Sequence, residues 1–394
     1  MQAAIRVDRE DAGAGDLDAA LACAFAQVAS NLPLFAQAFP HDTSEQGIYR
    51  PRHEPGFPSG ANVGWTTGFW TGMLWTAYEL TGRDVYRQAA AGQLESYADR
   101  LVRRIDIDHH DLGFLYTPSC VAAWRVCADE HARASALRAA DVLMQRYLPK
   151  AGIIQAWGDL NDPAERGRLI IDCLLNLPLL HWASEQAQRA DYRAAARSHA
   201  RLSAEYLVRA DASTFHTYHF DPHTGAPLRG STAQGAADAS CWARGQAWGL
   251  YGFALNHRFA PDLGLLDVAI RLADYFLAHL PTDGLAYWDL SLGDGSAEPR
   301  DSSANAIAIC GLLEICTQLP HDAQRERFET AAFDLLRGLN RQCAARQPSS
   351  NALLLHGVYS KPHGNGIDEA NLWGDYFYLE ALARVTRGWR CHWY

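Results

Sequence analysis

An apolar periodicity of 3.6 residues runs nearly from end to end of this chain and limits the folds that it can adopt. Such a pattern predicts helices that bury one or more faces. The predicted helical segments are residues 16–38, 66–82, 84–107, 113–131, 132–147, 168–186, 189–209, 241–257, 263–280, 302–318, 322–342 and 371–387. Strand signals are confined to residues 215–220 and 286–290. The chain is therefore predicted to be all-α.

The connections between these segments alternate between short turns and long loops. The long loops, rich in Gly, Pro, Asn and Asp, are residues 51–64, 158–167, 221–240, 293–303 and 348–368. Long loops are uncommon in a compact domain unless they carry function. Helix pairs separated by long loops are typical of a ring of helical hairpins, so we expect an (α/α)6 barrel, a six-hairpin toroid with a site on its loop-rich rim.

Composition and charge limit the classes of partner. No linker interrupts the 394 residues, so we predict one domain over residues 1–394, with residues 1–15 as a flexible N-terminal segment. A net charge of −10 without any Lys/Arg run argues against nucleic acid. No stretch approaches 18 uninterrupted apolar residues, and no signal peptide is visible, so we expect no membrane partner.

The nine cysteines form no CxxC pair and lie mostly in apolar helical contexts, such as Cys23, Cys173, Cys310 and Cys316. This usage is typical of reduced, buried thiols and predicts a cytoplasmic protein. The sequence leaves its assembly open between a monomer and a homodimer.

Tryptophan is concentrated in three loops and the helix starts beside them, at Trp65, Trp157, Trp242 and Trp248. Aromatic faces stack on the C–H surfaces of sugars, so these positions favour a carbohydrate site. The alternative is that each Trp belongs to the core, which is the interpretation that we give to Trp70 and Trp75.

Two aspartates are candidates for acid–base chemistry. Asp172 interrupts an apolar run in a predicted helix, where burial would raise the pKa of its carboxyl group and keep it available as a proton donor. Asn176, four residues on, is predicted to share its helix face and to line the same cavity. Asp111 lies just ahead of another helix. Each has an alternative structural interpretation, Asp172 as a buried cap of loop amides and Asp111 as a helix N-cap.

A third cluster spans residues 215–248 and contains His216, Gln234 and Arg244 around a Gly-rich loop. A guanidinium group suits a planar carboxylate because it donates two parallel hydrogen bonds. The pairs His109-His110 and His216…His219 suggest zinc, but neither has a third ligand at a convincing spacing, so we expect no metal.

Seven motifs in order, from about residue 40 to residue 387, resemble the unsaturated glucuronyl hydrolases, glycoside hydrolase family 88. They are WTTGFWTG at 65–72, HDLGF at 110–114, IIDCLLN at 170–176, FHTY at 215–218, the loop at Gln234, WARGQAWG at 242–249 and WGDYF at 373–377. The resemblance implies an (α/α)6 barrel that works without metal or organic cofactor. Its implied substrates are lyase-generated oligosaccharides, including glycosaminoglycan fragments, that end in a 4,5-unsaturated uronate.

The resemblance also assigns roles to individual residues. Asp172 is implied to protonate C4 of the enol ether and then to help water reach C5, after which the hemiketal falls apart. Asp111 is implied to orient the substrate and support Asp172. The implied substrate-binding residues are Trp65, Trp157, His216, Gln234, Trp242, Arg244 and Trp248, with Arg244 as the partner of the uronate carboxylate.

The sequence departs from one feature that the resemblance implies. Members that act on sulfated glycosaminoglycans carry small hydroxyl residues and a Lys in the late loop. Here Ser360 is present, but His363 and Asn365 stand where a second Ser and the Lys are expected. A strong preference for sulfated fragments is therefore in doubt, and we expect residues 51–64 and 348–368 to set the substrate range.

Three other functions remain open from the sequence. An unsaturated rhamnogalacturonyl hydrolase would share the fold and chemistry but act on pectin fragments. A sugar epimerase on the same barrel would need a His pair, for which His216 and His356 are candidates. A non-catalytic sugar-binding protein would keep the tryptophans and Arg244 without needing a buried acid.

Overall fold

The computed structural model describes residues 14–163 and 165–394. Residues 1–13 of the predicted flexible segment lie outside the described residues, whereas residues 14 and 15 already belong to the first helix. The described chain is mostly helical, and its helices form two concentric rings.

Six helical rods make the inner ring. They are α2 (Thr67–Thr81), the interrupted rod α4 (Leu112–Tyr116) and α5 (Ala122–Cys127), α7 (Leu177–Ala187), α9 (Ala243–Phe259), α11 (Ser302–Cys316) and α13 (Leu372–Arg387). A π-helical turn, Thr117–Val121, joins α4 to α5. Each rod contacts the next, and α13 contacts α2, so the ring closes.

Six outer helices cover this ring. They are α1 (Ala14–Phe35), α3 (Asp84–Val102), α6 (Glu130–Met144), α8 (Ala190–Tyr206), α10 (Leu265–Ala278) and α12 (Ala323–Cys343). Short turns join each of the first five inner rods to the following outer helix, and longer loops join each outer helix to the next inner rod. The predicted (α/α)6 barrel is confirmed, and all inner helices begin at the same loop-rich rim.

Burial explains why the two rings differ in sequence. Every residue of α11 is buried, so this inner helix is apolar or small on nearly all its surface, and its buried Glu314 is paired with Arg258 and Arg384. The outer helix α10 buries only Leu265, Ala269, Leu272, Ala273 and Phe276, which fall on one stripe at helical spacing. Gly311 lets α11 approach α9 closely, because a Cβ at Gly311 would lie 2.0 Å from Cδ2 of Leu250.

Residues Gly15–Phe35 of helix α1 are long and apolar enough to cross a membrane. In the structure, Leu17, Leu21 and Val28 of this helix are buried in the core, and α1 packs against α13. Of the cysteines, Cys120, Cys173, Cys241, Cys310, Cys316, Cys343 and Cys391 are buried free thiols, as predicted. Cys23 and Cys127 are exposed, so the expectation of burial is wrong for Cys23.

Among the described residues, seven short strands lie in the loops at the loop-rich rim. They are β1 (Tyr147–Leu148) with β2 (Ile153–Ile154), the antiparallel sheet β3 (Arg168–Ile170), β4 (Thr217–Phe220) and β5 (Pro227–Ser231), and the hairpin β6 (Gly357–Ser360) with β7 (Asn365–Glu369). The strand signal at 215–220 is confirmed. The signal at 286–290 is not, because Tyr287 and Asp289 form only isolated bridges.

Candidate active site

A cavity of about 310 Å³ opens at the rim where the inner helices begin. Its walls come from Trp65, His110, Asp111, Trp157, Ile170, Asp172, His216, Ala233, Gln234, Trp242, Arg244, Trp248, Tyr359, Ser360, His363 and Asn365. All predicted site residues except Asn176 are in this set. A larger cavity of about 650 Å³ lies between α1 and the end of α12, but none of the predicted site residues lines it.

The backbone at Asp172 differs from the prediction. The segment 168–176 is not an α-helix: Arg168–Ile170 is strand β3, and Ile171–Leu175 is a 3-10 turn that leads into α7. The Ile171 N–H donates to the His216 carbonyl oxygen at 3.1 Å, which ties the turn to the neighbouring strand β4. This strand-to-turn junction points Asp172 into the cavity.

The carboxyl group of Asp172 is nearly enclosed, with 18% of its side chain exposed. Its Oδ1 atom accepts no hydrogen bond from the described residues in this geometry, although Nε2 of His110 lies 3.3 Å from it. Burial, and next the negative charge of Asp111, raise the pKa of Asp172 well above its ordinary value. Both effects favour the protonated form of the carboxyl group, which is the form that can act as an acid.

Asp111 occupies the N-cap position of α4, but its side chain makes no capping hydrogen bond. Its carboxylate instead lies 3.2 Å from Nδ1 of His109 and 3.4 Å from Nε2 of His110. Burial alone would raise the pKa of Asp111, yet the two imidazoles outweigh it and lower that pKa. The pKa values of the two aspartates are thus shifted in opposite directions, which favours the protonated form of Asp172 and the ionised form of Asp111, as in acid–base pairs.

Asn176 does not line the cavity, so the prediction of a direct substrate contact is wrong in this geometry. The 3-10 turn changes the spacing on which that prediction depended, and Asn176 is fully buried. Its Oδ1 accepts the Phe114 N–H at 2.7 Å. Gly113 permits this approach, because a Cβ there would lie 2.2 Å from Cα of Asn176. Asn176 therefore joins the turn of Asp172 to the helix of Asp111.

Arg244 lines the cavity, but its terminal N–H groups are committed to the protein. Nη1 donates to Asp301 at 2.9 Å and to the Val358 carbonyl, and Nη2 donates to Gln234 at 2.8 Å and to the Tyr359 carbonyl at 2.6 Å. Asp301 is 0% exposed, so this ion pair is buried. The guanidinium group thus links the start of α9 to the Gln234 loop and to β6. Its two terminal nitrogens are therefore not free to bind a substrate carboxylate.

Two tryptophans present faces to the cavity from fixed positions. Trp65 stacks on Trp373 at 4.9 Å between ring centroids and donates its Nε1–H to Oη of Tyr359 at 2.9 Å. Trp157 is 43% exposed and lies against the Arg168 guanidinium at 4.2 Å. Both arrangements suit a sugar ring better than a core. Trp70 and Trp75 are buried, as expected.

His216, Trp242 and Trp248 form a more enclosed wall. The ring of His216 lies 5.1 Å from that of Trp242, and its Nδ1 is 2.6 Å from Oγ1 of Thr217. Burial lowers the pKa of His216 to about 3, so the imidazole is neutral. Trp248 packs at 5.2 Å against Phe114 beneath the cavity.

The hairpin β6–β7 closes the remaining side. Oγ of Ser360 lies 2.7 Å from Nδ1 of His363, and Asn365 stands nearby at the start of β7. Residues 348–368 thus contribute Tyr359, Ser360, His363 and Asn365 to the cavity, whereas residues 51–64 contribute none.

The sequence prediction missed His110 and Tyr359 as cavity residues. His110 was considered only as a zinc ligand, although its place beside Asp111 was a usable signal. Tyr359 adjoins Ser360, but the hydrogen bond to Trp65 joins positions 294 residues apart, which no local pattern shows.

One cluster could offer three metal ligands within the described residues: His110, Asp111 and Asp172, whose ligand atoms lie within 4.8 Å of one another. A carboxyl group must be deprotonated to bind a metal. The upward shift in the pKa of Asp172 disfavours the ionised form that a metal ligand needs.

Comparison with known proteins places this geometry in context. A family model described as Glycosyl Hydrolase Family 88 matches residues 36–314. The unsaturated chondroitin disaccharide hydrolase of Streptococcus pyogenes serotype M1 is 47% identical over 380 residues, which cover 96% of this chain and 93% of that protein.

Solved structures agree with the sequence comparison. The crystal structure of an unsaturated glucuronyl hydrolase from Bacillus sp. GL1, responsible for the degradation of glycosaminoglycan, matches with a TM-score of 0.91 at 46% identity, covering 96% of this chain and 99% of that one. A mutant of the Streptococcus agalactiae enzyme complexed with dGlcA-GalNAc6S matches with a TM-score of 0.84 at 39% identity, covering 100% of both chains.

Proposed function

The chain belongs to Glycosyl Hydrolase Family 88, and we propose that it hydrates the C4=C5 double bond of a terminal unsaturated glucuronic acid in lyase-generated oligosaccharides. The products are a keto-deoxy uronate and the shortened saccharide. The observation that carries this proposal is the pair of nearly enclosed carboxyl groups of Asp172 and Asp111, whose pKa values are shifted in opposite directions, in a cavity walled by Trp65 and Trp157.

Asp172 and Asp111 can carry out the hydration in two steps. Asp172 gives its proton to C4, and a water adds through its oxygen to C5 while its own proton passes to the Asp172 carboxylate. The resulting hemiketal opens and releases the saccharide. Asp172 ends with the proton that it began with, and Asp111 keeps the charge that holds the pKa of Asp172 high.

Substrate preference within this class is a finer part of the proposal. The relatives that match this chain are named for chondroitin and glucuronyl substrates. Since His363 and Asn365 border the cavity where a Ser and a Lys would favour sulfate, we expect unsulfated glucuronyl fragments to be preferred. Pectin-derived rhamnogalacturonyl fragments are the second candidate, and the plate assay below separates them.

A sugar epimerase would need both His216 and His356 in the cavity, and the structure places only His216 there. His356 does not line the cavity; its Nδ1 pairs with Asp368 at 2.7 Å on an exposed part of the chain. A binding protein without catalysis is less favoured because it would not need Asp172 to be held protonated.

We further infer that the protein is cytoplasmic. Nine free cysteines, of which seven are buried, support this location because such usage fits a reducing compartment. Assembly as a monomer or a homodimer stays a prediction.

The test is a plate of unsaturated disaccharides from chondroitin, hyaluronan, heparin, gellan and pectin digestion, each with excess chelator. Loss of the ultraviolet absorbance of the conjugated enol ether reports hydration directly. Loss on a glucuronyl disaccharide in chelator supports both the reaction and its independence from metal. Loss on the rhamnogalacturonan product alone reassigns the substrate, and no loss on any substrate refutes the proposal.

A further inference from the structure

His110 lies between the two aspartates and contacts both. Its Nε2 is 3.4 Å from Oδ1 of Asp111 and 3.3 Å from Oδ1 of Asp172. The side chain is 2% exposed, and the backbone is fixed because the His110 N–H donates to the Ala156 carbonyl at 2.7 Å. The imidazole is therefore held in place rather than free to turn into solvent.

We propose that His110 is a positioning residue that directs a single N–H toward both aspartates and stabilises whichever of them is ionised. This role rests on the proposed function, because it concerns the same acid–base pair. It adds a third member that acts through Asp111 and Asp172 rather than on the sugar.

The position of the imidazole proton follows from its surroundings. A neutral imidazole carries one N–H, on either Nδ1 or Nε2. Nδ1 of His110 is buried and has no partner among the described residues, so a proton there would be unsatisfied. Nε2 faces two carboxyl groups, so the proton belongs on Nε2. Burial lowers the pKa of His110 to about 4, which agrees with a neutral ring.

The Nε2–H of His110 can stabilise a different aspartate before and after the proton transfer. While Asp172 is protonated, Asp111 is the ionised partner and receives the N–H. When Asp172 transfers its proton to C4, its O–H bond breaks, a C4–H bond forms, and a second carboxylate appears 3.3 Å from the same nitrogen. The N–H can then stabilise Asp172 without any proton leaving His110, so the imidazole stays neutral throughout.

Other titratable or charged groups lie near His110, Asp111 and Asp172 and can also contribute to a pH profile. They are His109 beside Asp111, Cys173 beside Asp172, Arg146 after α6, His199 on α8, His216 before β4 and Arg244 on α9. Arg146 and Arg244 are committed to carbonyl or carboxylate oxygens. Burial keeps His199 and His216 neutral by lowering the pKa of each to about 3.

The variants His110→Ala and His110→Gln test the proposal on an unsaturated glucuronyl disaccharide. His110→Ala should lower kcat on the order of 10- to 100-fold, the range expected for one hydrogen bond to a charged group, with KM changed less than about threefold. Loss of the donor raises the pKa of Asp111, so activity on the acid side should fall away at a higher pH. His110→Gln keeps an N–H donor and should recover part of kcat and a profile close to that of the parent.

His181→Gln is the matched control, because His181 is equally buried but pairs with Asn256 on the barrel wall and does not line the cavity. It should lower the melting temperature without moving the pH profile. If His110→Ala lowers kcat with an unmoved profile, or if His110→Gln gives no recovery, His110 only fills space and the proposal is overturned.

A measurement on the parent protein separates this inference from the proposed function. Side-chain ¹⁵N NMR of His110 should show a neutral ring with its proton on Nε2 from pH 5 to pH 8. A proton on Nδ1 overturns the shared-donor proposal even if the enzyme is active. A parent protein that hydrates no unsaturated disaccharide overturns the proposed function and, with it, the catalytic role given to His110, whatever the tautomer.

Discussion

Oδ1 of Asn176 accepts the backbone N–H of Phe114 at 2.7 Å, and this bond joins the turn that carries Asp172 to the helix that begins after Asp111. The first-turn N–H groups of a helix have no partner within the helix. Asn176 supplies one from 62 residues away in sequence. The separation of the two aspartates therefore depends on a residue that does not line the cavity.

Replacing Asn176 by Ala should lower both stability and turnover. The buried Phe114 N–H would lose its partner at a cost of about 1–3 kcal/mol, and the two aspartates would lose their fixed spacing. Urea unfolding and kcat on the same preparation measure the two effects. Asn340→Ala is the control, because that buried Asn bonds Tyr378 away from the cavity and should reduce stability alone. Equal kcat in both variants would contradict the positioning role of Asn176.

The ionised state of Asp111 can be tested by pH. Its charge helps to raise the pKa of Asp172, so Asp111→Asn should lower that pKa. Asp172 would then lose its proton at a lower pH, and the fall in kcat/KM on the basic side should begin earlier. Asp108→Asn, at an exposed position three residues away, should leave the profile unmoved. A basic limb that stays in place in Asp111→Asn would show that the two groups do not interact.

Arg244 is expected to act through stability more than through substrate affinity. Arg244→Gln leaves the buried Asp301 without its partner and should lower the free energy of unfolding by about 3–5 kcal/mol. Adding Asp301→Asn should recover part of the loss. A variant with unchanged stability and a KM raised tenfold or more would instead support the direct carboxylate contact that the resemblance implies.

The hairpin β6–β7 offers a test of substrate range. The double substitution His363→Ser with Asn365→Lys should raise kcat/KM on a 6-sulfated chondroitin disaccharide relative to the unsulfated one, because it adds a cation and a hydroxyl at the cavity wall. Each single variant serves as a control for the other. An unchanged ratio would mean that specificity is set elsewhere on the rim.

The fold was accessible from sequence because helical periodicity and alternating loop length are local properties. The run from Leu169 to Leu175 was mistaken for an α-helix because a short apolar run does not distinguish a buried strand from a helix. Its pairing partner, β4, lies about 50 residues away in sequence. The local pattern at Asp172 therefore predicted burial correctly and secondary structure wrongly.

The sequence was enough to predict which residues form the site, but not which hydrogen bonds they make. Ten of the predicted residues meet in one cavity, which motif order alone indicated. The commitment of Arg244 to Asp301 and to the carbonyls of Val358 and Tyr359 spans 57 to 115 residues. A sequence pattern cannot show how many donors of a guanidinium group are already taken, so its predicted role needed the structure.

Asp172 is proposed as the proton donor, and the substitution Asp172→Asn removes that proton with little change in shape. The amide matches the carboxyl group in shape but cannot give up a proton, so the fold and disaccharide binding should survive. The rate of hydration, measured as the loss of ultraviolet absorbance, should fall roughly 100- to 10,000-fold. A rate equal to that of the parent protein, in a variant with an unchanged melting temperature, would contradict the account.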